Sequence, residues 1–190
     1  MTSCVSDIEL DRDNENQDFN KSMTKMLKSN TDEQRISYRM LNEQEKYLTW
    51  KRKLENLSNN SNFNKNQKEV IHEAILLINP SVFNDENKDY FKDITLKSWI
   101  EKAEKAFTRI ELKYAFVNIN DYPTQEEFNK ILSRKSKQSI KDDSLSAISD
   151  CSCSTSDDWC IFDDCSTGWS CDGSDSGCGW YWLGACNGEC

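Results

Sequence analysis

The sequence predicts a mainly α-helical protein: a bundle of four or five helices, a flexible linker, and a small disulfide-rich C-terminal module with short β-strands. Residues 20–135 contain no glycine, and their apolar residues recur at intervals of three and four, which indicates amphipathic helices. Residues 151–190 carry eight of the nine cysteines and all six glycines, which is typical of a disulfide-stapled module. We therefore divide the chain into an acidic, disordered N-terminus (1–19), a helical domain (20–135), a linker (136–150) and a cysteine-rich module (151–190).

The N-terminal segment leaves two interpretations of Cys4 open. As it stands, Met-Thr-Ser-Cys-Val-Ser-Asp lacks the positive and apolar regions of a secretory signal, although clustered cysteines indicate an oxidising compartment. Cys4 is either an unpaired thiol on a disordered end or the lipidated residue of a bacterial lipoprotein whose signal peptide has been removed. Either way, we expect a secreted or cell-surface location.

Three apolar stripes predict the main helices, and we expect Trp50 and Trp99 within them to lie in the core. The pairs Thr31 with Gln34, Asn42 with Glu45, and Thr124 with Glu127 are candidate N-terminal caps, since each places a capping side chain three residues before an acid or amide. The stripes are Tyr47, Trp50, Leu54 and Leu57; Val70, Ile71, Ala74, Ile75 and Ile78, which end before Pro80; and Leu96, Trp99, Ile100, Ala103, Ala106, Phe107, Ile110 and Tyr114, expected as one continuous helix.

The composition argues against an enzyme. His72 is the only histidine, so a multi-histidine metal site is excluded, and we expect this residue at the edge of its apolar stripe rather than in a catalytic role. No set of acid, base and nucleophile stands out, and we expect no cofactor and no metal.

Charge narrows the possible partners. Residues 1–150 hold 24 basic and 26 acidic side chains, a net charge of −2, whereas residues 151–190 hold seven acidic and no basic ones, a net charge of −7. Neither part offers the basic surface that nucleic acid binding requires. No run of about 18 apolar residues is present, so the sequence predicts no membrane span.

The segment between the two parts is rich in serine and charge. Residues 133–150 hold few large aliphatic side chains, so they cannot bury enough surface to order themselves. Cleavage near Arg134-Lys135 or Ala147 would release the C-terminal module, while the alternative is a passive tether.

The cysteine-rich module is small enough to need covalent stabilisation, and four disulfides would contribute roughly 2–4 kcal/mol each. We expect strands at Trp159–Phe162 and Trp180–Leu183, which are aromatic and branched. Zinc-thiolate sites and thioether crosslinks to Ser or Thr are the alternatives to disulfides. The absence of a CxxC pair argues against zinc. The eight cysteines are Cys151, Cys153, Cys160, Cys165, Cys171, Cys178, Cys186 and Cys190.

The motifs CSCSTSDDWC and GCGWYWLGACNGEC in this module resemble those of the fulvocin C-related bacteriocin family. Weaker likeness upstream rests on Gln44-Glu45-Lys46, on Trp50, and on Phe63-Asn64 with Gln67-Lys68. The resemblance implies a secreted antibacterial peptide carried by a longer precursor, and it implies that the eight cysteines are paired.

The module holds more large rings than about 40 residues can bury, so we expect an exposed aromatic binding surface. Its charge of −7 would be repelled by anionic lipid, which favours a target-cell surface protein over direct attack on the membrane. The acidic pairs Asp157-Asp158 and Asp163-Asp164 are expected to be solvated rather than calcium ligands. The expected binding residues are Trp159, Trp169, Trp180, Tyr181 and Trp182.

Two functional hypotheses follow. In the first, the helical domain is the carrier of a bacteriocin-like toxin, and a processing protease or export machinery acts on the chain. In the second, the protein is a surface lipoprotein anchored at Cys4, whose disulfide-rich tail is a recognition module that is never released. Cleavage in the linker separates the two.

Overall fold

A computed structural model of the protein describes residues 19–138 and 174–186, and within them it is mainly helical, as the sequence predicts. Four helices come first in the described chain, and a short 3-10 turn at Pro80–Phe83 follows them. The first helices are α1 (19–27), α2 (Thr31–Arg39), α3 (Glu43–Ser58) and α4 (Lys65–Leu77).

Asparagine side chains start several of these helices. Asn42 and Asn64 each form a complete capping box, with Glu45 and Gln67 respectively, so the predicted Asn42 cap is confirmed. At α2 the predicted Thr31 cap is wrong by one residue, because Asn30 is the extended residue whose side chain accepts the Glu33 N–H. Asn and Thr are both good caps, and backbone geometry decides between neighbours.

The third apolar stripe is divided between two helical runs, so the expected continuous helix from Leu96 to Tyr114 is wrong. The first run comprises α5 (Lys88–Tyr90), a π-helical stretch (Phe91–Leu96) and α6 (Lys97–Ala106). Phe107 is extended, with φ −124° and ψ 149°, and Thr108 then caps the next run. That run comprises α7 (Arg109–Leu112) and a second π-helical stretch (Lys113–Val117).

The last helix, α8 (Gln125–Gln138), begins after the predicted Thr124–Glu127 cap, which the structure confirms. It continues three residues beyond the expected domain end at 135. The rest of the predicted linker lies outside the described residues.

The stripes of α3, α4 and α6 face one another across a single core. Trp50, Leu54, Ile71 and Ala103 are fully buried, and Trp99 is 2% exposed, so both tryptophans lie in the core as expected. The Trp99 Nε1–H donates to the Val70 carbonyl at 3.0 Å, which ties α6 to α4. No helix among the described residues is long and apolar enough to cross a membrane.

A two-stranded hairpin from the C-terminal part of the chain completes the described structure. Strand β1 (Ser174–Cys178) pairs antiparallel with β2 (Gly184–Cys186), with Cys178 opposite Gly184. The expected strand at Trp180–Leu183 is wrong: Trp180–Trp182 form a 3-10 turn between the strands. The expected strand at Trp159–Phe162 lies outside the described residues.

Candidate functional site

The end of the hairpin is inserted into the core of the helical domain. We call its four residues, Trp180, Tyr181, Trp182 and Leu183, the aromatic tip; their exposed fractions range from 1% to 8%. They belong to the same hydrophobic cluster as the stripes of α3, α4 and α6. Part of the cysteine-rich segment is therefore packed as core of the helical domain.

Four aromatic side chains of the helical domain receive the tip, and we call them the slot: Tyr38, Trp50, Trp99 and Phe116. Three contacts are edge-to-face, the favoured geometry for ring pairs. Their centroid distances are 5.1 Å for Tyr38–Trp182, 5.2 Å for Trp50–Tyr181 and 5.5 Å for Trp99–Trp180. Phe116 also packs against Trp180, at 5.9 Å and a tilt of 34°.

Hydrogen bonds, in addition to ring packing, hold the tip in the slot. The Trp50 Nε1–H donates to the Tyr38 hydroxyl at 3.1 Å, and that hydroxyl donates to the Tyr181 carbonyl at 3.3 Å. On the other side of the tip, the Trp182 Nε1–H donates to the Val117 carbonyl at 2.6 Å. Buried bonds of this kind give the tip one defined position, because leaving any of these groups unpaired would be costly.

A cation also borders the tip. The Arg35 guanidinium carbon lies 6.0 Å from the centre of the Trp182 ring, within the range of a cation–π interaction. Arg35 is 5% exposed. The slot therefore offers a positive charge to a segment whose own residues 151–190 contain none.

Two features of the docked tip are energetically unfavourable. Tyr181 and Trp182 have φ values of 53° and 55°, in the left-handed region that bulky residues rarely adopt. In addition, the Trp180 Nε1 and the Tyr181 hydroxyl are buried and have no hydrogen-bond partner among the described residues. Each strained residue costs about 1–3 kcal/mol, and each unpaired polar group costs a similar amount. Burial also raises the pKa of Tyr181 well above its usual value, so its hydroxyl stays neutral.

Glycines allow the hairpin to reach this conformation. Gly177 and Gly179 have φ values of 110° and 69°, which glycine adopts without strain. Gly184 lies so close to the opposite strand that a Cβ there would be 3.0 Å from the Cys178 carbonyl oxygen. Cys178 itself is buried and disulfide-bonded.

The side chain of Lys53, on α3, fixes the backbone on both sides of the slot residue Phe116. Its Nζ donates to the carbonyls of Tyr114, at 2.8 Å, and Asn120, and the side chain is 6% exposed. In the sequence, Tyr114 and Asn120 lie on either side of Val117, whose carbonyl accepts the hydrogen bond from Trp182. Burial lowers the pKa of Lys53 to about 7, and the nearby Asp121 carboxylate partly opposes this effect.

The side chain of Gln34, on α2, fixes the loop that follows this backbone segment. Its amide donates to the Asn120 side-chain oxygen at 2.8 Å and to the Ser29 carbonyl at 3.1 Å. Gln34 is 2% exposed. The loop after the second π-helical stretch is thus fixed to both α2 and α3.

The expectation of an exposed binding surface is wrong for three of its five residues. Trp180, Tyr181 and Trp182 are buried because the helical domain supplies the apolar surroundings that a 40-residue module lacks. Trp159 and Trp169 lie outside the described residues. So do Cys4 and the predicted disulfide residues other than Cys178 and Cys186.

The other candidate residues give no site. His72 is exposed on α4 rather than at the edge of the core. Within residues 19–138 and 174–186, no group of three or more His, Cys, Asp or Glu residues could hold a metal ion.

The slot was only partly foreseeable. Trp50 and Trp99 were expected in the core, but Tyr38 and Phe116 were not singled out, because neither belongs to a long stripe. The one signal that marks the tip is its run of three aromatics between Gly179 and Gly184.

Comparisons of the chain with protein-family models, with curated proteins and with solved structures found no match.

Proposed function

We propose that this chain is the precursor of a secreted, cysteine-rich antibacterial peptide of the bacteriocin type. The helical region is the carrier, and residues 151–190 are the active peptide. The observation that carries this proposal is the seating of the peptide's aromatic tip in the slot. A carrier that buries the tip keeps the most apolar part of the peptide out of contact with other surfaces until release.

The unfavourable features of the docked tip support a releasable segment. Two strained residues, together with two buried polar groups that have no partner among the described residues, lower the stability of the docked state by several kcal/mol in total. A permanent core has no need of these penalties. A tip that leaves the slot relaxes its backbone and gains partners for both polar groups.

Release would expose the rings that a target must recognise. The free peptide would present Trp180, Tyr181 and Trp182 on a module of charge −7, which anionic lipid repels. A protein on the target-cell surface is therefore the proposed receptor, since Trp and Tyr are enriched at the centres of protein interfaces.

The test is growth inhibition by the synthetic, oxidised peptide of residues 151–190 on a panel of bacteria. The matched control is the same peptide with Trp180 and Trp182 replaced by leucine, which retains all eight cysteines. We expect inhibition by the first peptide and little by the second. If the first peptide inhibits no strain, and only uncut chain is found in cultures of the producing cells, the proposal fails.

The mass of the peptide tests its crosslinks. In the peptide isolated from the producing cells, reduction without added metal should raise the intact mass by two hydrogens per disulfide. A loss of one water per modified Ser or Thr would instead show thioethers, and bound zinc would show a thiolate site.

The second candidate is a surface lipoprotein whose tail is never released. It is favoured by the depth of the tip, because removing four buried side chains leaves the slot open to water. Metabolic labelling with a fatty acid tests it. Label in the wild-type chain and none in Cys4→Ser would support an anchored protein, whereas unlabelled wild type would rule this candidate out.

A further inference from the structure

We infer that the helical domain is a non-covalent receptor for the hairpin, and that it retains the cysteine-rich segment after the linker has been cut. This deepens the proposed function and rests on it only for the existence of a cut. The binding site is the slot, and the partner is a hairpin carrying a Trp-Tyr-Trp tip.

Contacts across the slot are of the kind that hold separate chains together. Trp and Tyr rings in desolvated pockets dominate binding energy at protein interfaces, and here three such rings face four others. The contact is also directional, since Tyr38 donates to a backbone carbonyl of the tip and the Trp182 side chain donates to a backbone carbonyl of the domain.

The covalent connection favours association through effective concentration. Residues 139–173 join α8 to β1 in the sequence, and a link between two binding parts raises the concentration of one around the other. Once the link is cut, association depends on non-covalent contacts, and among the described residues the rings of the tip are held by the slot. Because these bury the tip to 8% exposure or less, cutting the linker does not by itself expose it.

Charge adds selectivity to the slot. Arg35 borders the ring of Trp182, and residues 151–190, which carry the tip, hold seven acidic and no basic side chains. An acidic hairpin is therefore preferred over a basic peptide with the same rings. Release would then need a competitor for the rings, such as the target receptor.

The experiment uses the full chain with a sequence-specific protease site in place of residues 140–146. Cys4→Ser is included so that no cysteine remains outside residues 151–190 to link the fragments covalently. The folded protein is cut and passed through size-exclusion chromatography at about 1 μM, without denaturant. We expect the fragments to elute together, and dilution to give a dissociation constant below about 1 μM.

Two variants test whether the slot is responsible. Trp182→Leu removes the ring that contacts Tyr38 and the donor to Val117, and Tyr38→Phe removes only a hydroxyl; each should weaken association about tenfold or more. Tyr90→Leu is the matched control, because Tyr90 is 69% exposed and outside the slot, and it should change nothing. Circular dichroism of the cut proteins verifies that each variant keeps its helices.

Separation of the wild-type fragments would overturn the inference. Equal association of wild type, Trp182→Leu and Tyr38→Phe would also overturn it, since the fragments would then be held elsewhere. The result is independent of killing: retained fragments with an inactive peptide leave the receptor in place and refute the proposed function, while an active peptide with separated fragments does the reverse.

Discussion

The buried Lys53 predicts an unusual dependence of stability on pH. Its pKa is about 7 in the folded protein against 10.5 when exposed. Between these values the unfolded chain holds one more proton than the native one, so the free energy of unfolding rises with pH. The full slope is about 1.4 kcal/mol per pH unit, which integrates to about 2 kcal/mol between about pH 7 and pH 9.

Other groups do not mask this rise. Tyr38, Tyr122 and Tyr181 have raised pKa values, mainly because of burial, so they destabilise the native state only above about pH 10, where exposed tyrosines ionise. The window for Lys53 lies below that. In Lys53→Met the slope between about pH 7 and pH 9 should fall to the smaller rise left by Lys46, whose pKa is also lowered by burial, whereas Lys65→Met, at a lysine whose side chain is 92% exposed, should keep the full slope.

Urea unfolding followed by circular dichroism measures the effect. With a slope of about 2 kcal/mol per molar urea, the midpoint should rise by about 1 M between about pH 7 and pH 9. A flat midpoint in the wild type, or the full rise retained in Lys53→Met, would refute the argument and show that the ammonium is well solvated in the native state.

Further predictions concern the slot, the hairpin and a helix cap. Tyr38→Phe leaves a buried carbonyl and a buried indole unpaired, so urea unfolding should show a loss of about 2–4 kcal/mol, against less than about 0.5 kcal/mol for the exposed Tyr90→Phe. Trp182→Ala should lower the thermal stability of the helices by about 3–5 kcal/mol, and an unchanged melting curve would mean that the tip is not part of the core. Gly184→Ala brings a Cβ within 3.0 Å of a backbone oxygen and should also lower the melting temperature, while a neutral result would show that the hairpin can widen. Asn42→Ala removes a capping box and should lower the free energy of unfolding in urea by about 1 kcal/mol. An unchanged free energy would show that the cap does not stabilise α3.

Local signals in the sequence were sufficient for much of the helical domain. The stripe through Trp50, Leu54 and Leu57 lies in α3 with its predicted Asn42 cap, because spacing and capping depend on neighbours within one turn. The break at Phe107 was missed because the apolar spacing continues through it. Only the Thr108–Glu111 capping box, unnoticed within the stripe, marks the restart.

The position of the aromatic tip could not be predicted from composition. An isolated module of about 40 residues is too small to bury this many aromatic rings, so its composition alone predicts that they are exposed. The contact of Tyr38 with the Tyr181 carbonyl joins residues 143 apart, and no local pattern encodes such a pairing. The left-handed conformation of Tyr181 and Trp182 likewise depends on the slot rather than on residue preference.

The insertion of the tip also sets an order for synthesis. The ribosome makes the slot residues first, from Tyr38 to Phe116, and the tip more than 60 residues later. Until then the nascent helical domain has an unfilled core, with the rings of Trp50 and Trp99 open to water. A chain that stalls before residue 180 would therefore lack these packing contacts, and we expect it to be more open to proteolysis than a chain that includes the hairpin.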